Sequence, residues 1–168
     1  MNGGITLNQV QEKVTSESFR NAIGHFTSGV SVITSQLDGQ DYGITASAVS
    51  SVSLEPPMLL ICVNQNTGTC NAIATSRFFT VNILEENQAD TAKRFATPQP
   101  DKFQGVDASR TENGLLVLNE SLTIFECEVA EEITGGTHSV FLGKVKSIKV
   151  SEKDPLVYYR GRFGKFNQ

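Results

Sequence analysis

The chain has 168 residues, which is enough for one compact domain with a sizeable apolar core. Hydrophobic residues make up 39% of the chain and charged residues 19%, an ordinary balance for a globular protein that argues against intrinsic disorder. Its 14 basic and 18 acidic residues give a formal net charge of -4, which disfavours a chain-wide nucleic-acid surface but still allows a local arginine cluster that binds one anion.

The amino-terminal half of the chain predicts one helix followed by several strands. Apolar residues recur at helical spacing from Phe19 to Phe26, and Gly29 can end this helix. Asp38-Gly39 predicts a tight turn, and the latter part of the serine-rich segment Val49–Pro57 predicts an extended loop. The predicted strands cover residues 30–34, 42–48, 58–63 and 78–84, of which 58–63 reads as fully buried.

The remaining segments alternate between helix, loop and strand. Short helices are predicted at 69–76 and 86–96, and a long surface loop is predicted at 97–113. Loops of this length in compact domains are often functional. Strands are predicted at 115–118, 122–133 and 139–150, with the last two joined at Gly135-Gly136. Many strands and few helices predict a closed antiparallel barrel, which has no exposed sheet edges.

The three cysteines Cys62, Cys70 and Cys127 predict a reducing environment. They are odd in number and lack Cys-x-x-Cys spacing, which disfavours both a disulfide framework and a structural zinc site. Cys70 stands near a predicted helix start, where a thiol pKa can fall, although burial as a small apolar residue is the favoured interpretation. With no apolar signal segment and no run long enough to cross a bilayer, the chain is predicted to be cytoplasmic, with no membrane partner.

Most common hydrolytic and metal-dependent chemistries lack their residues in this sequence. There is no phosphate-binding loop, no Gly-x-Gly-x-x-Gly fingerprint and no serine hydrolase elbow. The two histidines, His25 and His138, belong to no cluster with metal spacing, so no metal is predicted.

Two polar segments between predicted strands are candidates for ligand binding. Residues 43–53 concentrate hydroxyls and backbone amides that could hydrogen-bond the edge of a flat heterocycle, although an ordinary polar strand and turn would read the same way. Residues 64–70 could offer amides and hydroxyls to an anion at a helix start, although any helix cap uses such residues.

An ordered series of motifs resembles the short-chain flavin reductases of the flavin-binding split-barrel superfamily. The series extends from Phe19 to the end of the chain, and its most recognisable part is Gly43-Ile44-Thr45-Ala46-Ser47 with Ser51-Val52-Ser53-Leu54-Glu55-Pro56-Pro57. The other segments are Phe19–Thr34, Phe79–Leu84, Ala92–Ala96, Asp101–Phe103, Gly136–His138 and Tyr158–Phe163.

The resemblance implies a mainly β fold, a six-stranded antiparallel split β-barrel with Greek-key topology and a few peripheral helices. A flavin reductase-like domain would cover residues 17–168 after a polar lead at 1–16. The family likeness also implies a homodimer with the flavin in a groove near the subunit interface.

The resemblance also implies which residues bind the flavin. One set would line the isoalloxazine ring and the ribityl chain: Thr45, Ala46, Ser47, Ala48 and Ser51. Thr67 would lie nearer the phosphate, and Lys93 and Arg94 would supply charge to it, as guanidinium groups pair well with phosphates. Without the family pattern, Lys93 and Arg94 would read as a solvated helix face.

His138 matches the histidine of a Gly-Asp-His motif that the family places beside the nicotinamide. Thr137 stands where the motif has aspartate, which puts any electrostatic role of that acid in doubt. The aromatic and basic segment with Tyr158, Arg160 and Arg162 would also bind the nicotinamide nucleotide, because such residues stack on bases and pair with phosphates. The alternative is a solvated tail. His25 is interpreted as structural.

The implied function is an NAD(P)H:flavin oxidoreductase that transfers a hydride from NADH, or NADPH, to FMN or FAD. The reduced flavin would then serve a partner monooxygenase. Three alternatives stay open: a split-barrel oxidase of the pyridoxamine-phosphate type, a flavin- or haem-binding module without turnover, and a barrel for an apolar ligand.

Overall fold

The fold is mainly β with few helices, as a computed structural model of the chain shows over the residues it describes, 13–166. The helices are α1 (Ser16–Ile23), α2 (Gly68–Ser76) and α3 (Ala89–Ala96). The strands are β1 (Ser28–Gly29), β2 (Ser31–Leu37), β3 (Gln40–Ala46), β4 (Val49–Leu54), β5 (Pro57–Asn64), β6 (Phe78–Ile83), β7 (Ala108–Arg110), β8 (Leu116–Leu118), β9 (Thr123–Gly135), β10 (His138–Val150), β11 (Leu156–Tyr159) and β12 (Arg162–Lys165).

The main sheet has seven antiparallel strands in the order β3-β2-β6-β9-β10-β5-β4. A flat sheet of that width would separate its edge strands by about 29 Å. Only Ser47 and Ala48 lie between β3 and β4, and three residue steps span at most about 11 Å. The sheet therefore curls on itself, although no ladder joins β3 to β4 in the described residues. The sheet has seven strands and not the six that the resemblance implied, and it is not the closed barrel that the strand pattern predicted, because strand pairing is decided by contacts distant in sequence.

Two apolar clusters form the core. The first fills the curled sheet around Phe79, Phe141 and Ile33, all fully buried. The second lies between β2 and α3, around Phe95 and Leu118. The strand predicted as fully buried, now β5, instead alternates, because one of its faces points away from the core.

Local turn signals were predicted correctly, whereas some element boundaries differ. Asp38-Gly39 forms the β2–β3 turn with φ of 50° and 79°, the left-handed values that favour this pair in a two-residue hairpin. The first helix ends at Gly24 rather than Gly29. The serine-rich segment forms strand β4, paired with β5, instead of continuing as a loop.

The remaining connections place the surface segments that matter below. The predicted loop 97–113 contains β7, which pairs with β8, and β9 and β10 form the predicted hairpin. The β11–β12 hairpin pairs with β1, which brings the carboxy-terminal segment beside the end of α1. Among the described residues, no helix has both the length and the apolar character needed to cross a membrane. Most of the predicted polar lead, residues 1–12, lies outside the described residues.

Candidate functional site

The first candidate site is a cleft of about 840 Å³ between α1, the β3–β4 link and the tip of the β11–β12 hairpin. We call it the serine cleft. It is lined by Glu17, Arg20, Asn21, Ile23, Gly24, Phe26, Ser28, Ser47, Ala48, Val49, Ser50, Leu60, Tyr158, Arg160 and Gly161. Its volume lies within the range of small-molecule and cofactor sites, roughly 300 to 1,000 Å³.

The serine cleft combines an apolar wall with hydroxyl and guanidinium groups. Phe26 and Leu60 supply apolar surface, and the exposed Ser47 supplies a hydroxyl. Arg20 and Arg160 both line the cleft, and within residues 13–166 neither forms a salt bridge. An apolar slot with a few polar groups and net positive charge suits a flat anionic ligand.

The hairpin tip is held in the serine cleft by one backbone contact. The amide of Arg160 donates to the carbonyl of Gly24 over 3.1 Å, which fixes the turn against the end of α1. The ring of Tyr158 packs on that of its cross-strand partner Phe163 with centroids 5.7 Å apart, which stabilises the hairpin itself. Ser47 and Ala48, distant in sequence from Tyr158 and Arg160, therefore share one cleft with them.

A second cleft of about 960 Å³ opens between β3, the start of α2 and the segment 95–104; we call it the loop cleft. Thr67 lines it and caps α2, because its Oγ1 accepts from the amide of Cys70 over 3.2 Å and donates to the carbonyl of Asn64 over 2.8 Å. The N-terminus of a helix carries unpaired amides and partial positive charge, which favour an anion.

Lys102 closes one side of the loop cleft, and the sequence reasoning did not assign it a role. Its ammonium donates to the carbonyls of Gly43, over 3.2 Å, and Phe95, over 3.1 Å, and burial lowers its pKa. Gly43 is required beneath it, since an added Cβ would lie 2.6 Å from the ring of Phe95. A lysine shortly after a predicted helix end, where carbonyls lack partners, was the available signal.

Thr45, Ala46 and Ser51 are close in sequence to lining residues of the serine cleft but do not line it themselves. The hydroxyl of Thr45 donates to the carbonyl of Ala92 over 2.7 Å and joins β3 to α3. Ala46 packs against the first core cluster, and Ser51 is exposed on β4.

Lys93 and Arg94 lie on α3, away from the serine cleft. Lys93 pairs with Asp90 over 2.9 Å, both exposed. Arg94 donates to the carbonyl of Gln104 over 2.5 Å and lines a smaller cleft that also holds Glu85 and Asp107. The phosphate role of these two residues therefore stays a prediction, and acidic neighbours surround Arg94.

His138 stands at the start of β10, half-buried and paired in register with Asn64 of β5. A hydrogen bond of 2.9 Å joins its Nδ1 to Oγ1 of Thr137, so the threonine of the altered motif contacts the ring directly. His138 and Ala48 are separated by two inter-strand spacings across the sheet and by two residues along the strand direction. Their Cα atoms are therefore about 12 Å apart. His138 thus lies near the serine cleft without lining it.

The chain is similar along most of its length to known flavin reductases. The family model described as "flavin reductase like domain" matches residues 23–167. The chain belongs to the flavin reductase-like family. It is 45% identical to the reductase component of a 4-nitrophenol 4-monooxygenase/4-nitrocatechol 2-monooxygenase from Rhodococcus opacus, over 94% of this chain and 84% of that protein.

Solved structures show the same relationship for this flavin reductase. The flavin reductase PheA2 superposes with a TM-score of 0.85 at 34% identity, covering 92% of this chain and all 100% of that one. The NADH:FAD oxidoreductase SgcE6 of Streptomyces globisporus C-1027, in complex with NAD and FAD fragments, superposes with a TM-score of 0.87 at 30% identity, covering 93% and 97%. The resemblance seen in the sequence is confirmed, and the protein is an oxidoreductase that reduces flavin.

The serine cleft of this flavin reductase fits a flavin nucleotide. A tricyclic ring needs apolar surface and edge hydrogen bonds, which Phe26, Leu60 and Ser47 can supply. A phosphate needs cations that are not already paired with carboxylates. Arg20 and Arg160 meet this requirement within the described residues, because neither forms a salt bridge there.

His25 and the three cysteines of the flavin reductase have surroundings that fit structural rather than catalytic roles. His25 Nδ1 lies 3.0 Å from the carbonyl of Asn21. Burial raises the pKa of Cys62 and of Cys70, and raises that of Cys127 to about 12. The three thiols are therefore protonated at neutral pH, and Cys70 is not an activated thiol at the start of α2. No cluster of metal-ligating side chains occurs in the described part of the chain.

Proposed function

We propose that this flavin reductase transfers a hydride from NADH, or NADPH, to FMN or FAD, with the flavin ring bound in the serine cleft. The observation that carries this proposal is an apolar slot bearing serine hydroxyls and two guanidinium groups, in a chain of this family. The similarity to a structure holding NAD and FAD fragments supports the same choice of nucleotides.

A bound flavin supplies the electron-accepting ring, so the residues of the chain need only bind, orient and exclude water. In this proposal Ser47, Ala48 and Ser51, with the adjoining Thr45 and Ala46, hold the ring and the ribityl chain. Thr67, at the start of α2, contacts the phosphate side, with Lys93 and Arg94 as further sources of charge. His138, Tyr158, Arg160 and Arg162 bind the nicotinamide nucleotide.

We also propose that the curled sheet is a split barrel with Greek-key topology in the 17–168 domain, supported by edge strands that lie close together without pairing. A cytoplasmic location is proposed from the three free thiols. The reduced flavin is proposed to serve a monooxygenase component, supported by the relative that is itself a reductase component.

Anaerobic mixing of the purified protein with a flavin and a nicotinamide nucleotide tests the function. We expect NADH or NADPH to bleach the flavin absorbance band catalytically when FMN or FAD is present in excess. A pyridoxamine-phosphate oxidase would need pyridoxamine phosphate for turnover, and a binding module would keep its flavin yellow. Absence of bleaching with all four nucleotide pairs would contradict the proposal.

The same assay locates the site through an Ala48→Trp variant. The indole would fill the serine cleft, so we expect the KM for flavin to rise at least roughly tenfold, since hydrophobic contacts worth ~1.4 kcal/mol are lost. Leu54→Trp is the matched control, because Leu54 is exposed at the far end of the adjoining strand β4 and lies outside the cleft lining. Equal kinetic constants for the two variants would show that the flavin binds outside the serine cleft.

We propose that two copies of the chain associate through the face of α1. Phe19, Ile23 and Phe26 are 61%, 53% and 73% exposed, and α1 has no buried residue. These apolar residues are spaced as on a helix face that packs against another surface. Ile23 and Phe26 also line the serine cleft. A second copy would cover this surface and narrow the cleft.

Light scattering coupled to size exclusion should give twice the chain mass of 18.2 kDa. A Phe19→Glu change should shift the protein towards monomer, because the introduced carboxylate would be buried in the interface. A glutamate at Leu54, which is also exposed, is the control. A wild-type monomer at tens of micromolar concentration would contradict the homodimer.

A further inference from the structure

We propose that Arg20 and Arg160 form a phosphate clamp in the serine cleft, which holds a phosphate group of the flavin or of the nicotinamide nucleotide. The inference rests on the proposed function and names a residue, Arg20, that neither the sequence motifs nor the family likeness assigned. Both arginines line the same cleft, Arg20 from α1 and Arg160 from the β11–β12 turn.

The backbone at Arg160 is the first observation behind the clamp. Arg160 and Gly161 form a two-residue turn with φ of 47° and 78°, the geometry for which asparagine-glycine is the preferred pair. An ordinary side chain in the left-handed region costs roughly 1 to 2 kcal/mol. Arginine therefore occupies a position where asparagine would stabilise the turn better, which points to a use for its side chain.

A second left-handed arginine shows what a structural role looks like. Arg77 has φ of 67° at the end of α2, and its guanidinium donates to the carbonyl of Val129 over 3.3 Å. The guanidinium of Arg160 has no such protein partner among residues 13–166, and Arg160 lines the serine cleft. Arg77 and Arg160 thus share a backbone conformation, but within the described residues only the side chain of Arg77 has a structural hydrogen bond.

The position of Arg20 is the second observation. The amide of Gly24 donates to the carbonyl of Arg20 over 3.1 Å, and the carbonyl of Gly24 accepts from Arg160. The one glycine thus links the backbones of both arginines across the cleft. Glu17 is the acidic residue in the lining, and it lies beyond salt-bridge distance of either guanidinium.

Two guanidinium groups on one cleft match the charge and fork geometry of a phosphate. The chemistry is shared by the flavin phosphate and by the phosphates of the nicotinamide nucleotide, so the substrates themselves distinguish the two sources. Riboflavin has the flavin ring without a phosphate, and reduced nicotinamide mononucleotide lacks the adenylate half of NADH.

The test combines Arg160→Asn, Arg20→Gln and the double variant with four substrates: FMN, riboflavin, NADH and reduced nicotinamide mononucleotide. Arg160→Asn removes the guanidinium while improving the turn, so the melting temperature should hold or rise while the KM for one phosphate-bearing substrate rises roughly 10- to 100-fold, as expected for a lost charged hydrogen bond. Lys146→Gln makes an equal charge change at an exposed side chain of β10 and is the control.

The identity of the affected KM assigns the phosphate. A rise for FMN but not for riboflavin places the flavin phosphate in the clamp, and a rise for NADH that is smaller for the mononucleotide places the adenylate side there. Fluorescence titration of FMN against riboflavin gives the same comparison without turnover, so loss of activity from another cause does not obscure it. Unchanged constants for every substrate, with wild-type catalysis intact, would overturn the clamp and leave the proposed function standing.

Discussion

Replacing His138 with alanine should lower the rate constant of flavin reduction roughly a hundredfold, as expected when a positioning contact at the reacting rings is lost. The ring is half-buried at the start of β10 and bonded to Thr137, so it has a defined orientation. Flavin affinity should change little, because His138 does not line the serine cleft. Anaerobic stopped-flow with NADH measures the rate, and flavin fluorescence measures the affinity.

Thr137→Val is the matched control for this prediction. It keeps the imidazole and removes only the 2.9 Å hydrogen bond to Nδ1, so a smaller loss of rate is expected, with the ring less well oriented. The strand should survive both changes, because the backbone of Thr137 and His138 is held by Gln65. A His138→Ala enzyme with wild-type reduction kinetics would remove the histidine from the nicotinamide site.

The parts of the fold that depend on local signals were predictable from the sequence. The Asp38-Gly39 turn and the long β9–β10 hairpin follow from residues that are adjacent in the chain. The latter part of the serine-rich segment 49–57, which ends in Pro56-Pro57, predicts an extended loop, yet residues as far as Leu54 pair with β5, and this pairing overrides the local preference. Sheet width and closure depend on pairings between distant strands, which periodicity does not encode.

The residues of the candidate site also divide into those that a local motif identifies and those that depend on contacts distant in sequence. Ser47 and Ala48 were identifiable by their motif, but their proximity to Arg160 depends on contacts distant in sequence, such as the β1–β11 pairing and the backbone contact of Arg160 with Gly24. Arg20 gave no signal, since an arginine on an amphipathic helix normally reads as solvated. Lys102 was visible as part of a motif and as a lysine after a predicted helix end, but its two carbonyl partners come from β3 and α3 and could not be predicted locally.

A polar residue at the centre of the fold has the largest expected effect on stability. Asn82 is fully buried on β6, and its amide donates to the carbonyl of Val32 over 3.0 Å and to Thr80 Oγ1 over 2.8 Å. Its Oδ1 accepts from the amide of Leu118 over 2.9 Å. The side chain thus attaches β8, and with it the end of the 97–113 segment, to the main sheet.

Asn82→Leu should lower the free energy of unfolding by about 3 kcal/mol, because it leaves the buried amide of Leu118 without a partner and removes two further hydrogen bonds. The melting temperature should fall by roughly 6 to 12 °C for a domain of this size. Urea denaturation followed by circular dichroism measures the change. Asn71→Leu makes the same substitution at an exposed position of α2 and should stay within about 0.5 kcal/mol of wild type.

The Asn82 variant also separates stability from ligand binding. Because the 97–113 segment carries Phe103 and Lys102 into the loop cleft, detaching β8 should loosen that cleft before it affects Ser47 and the serine cleft. Limited proteolysis under native conditions should therefore cut first between residues 97 and 113, with flavin still protecting the β3–β4 link. A variant as stable as wild type would show that β8 is held by its other contacts, such as Thr34 Oγ1 with the carbonyl of Leu116.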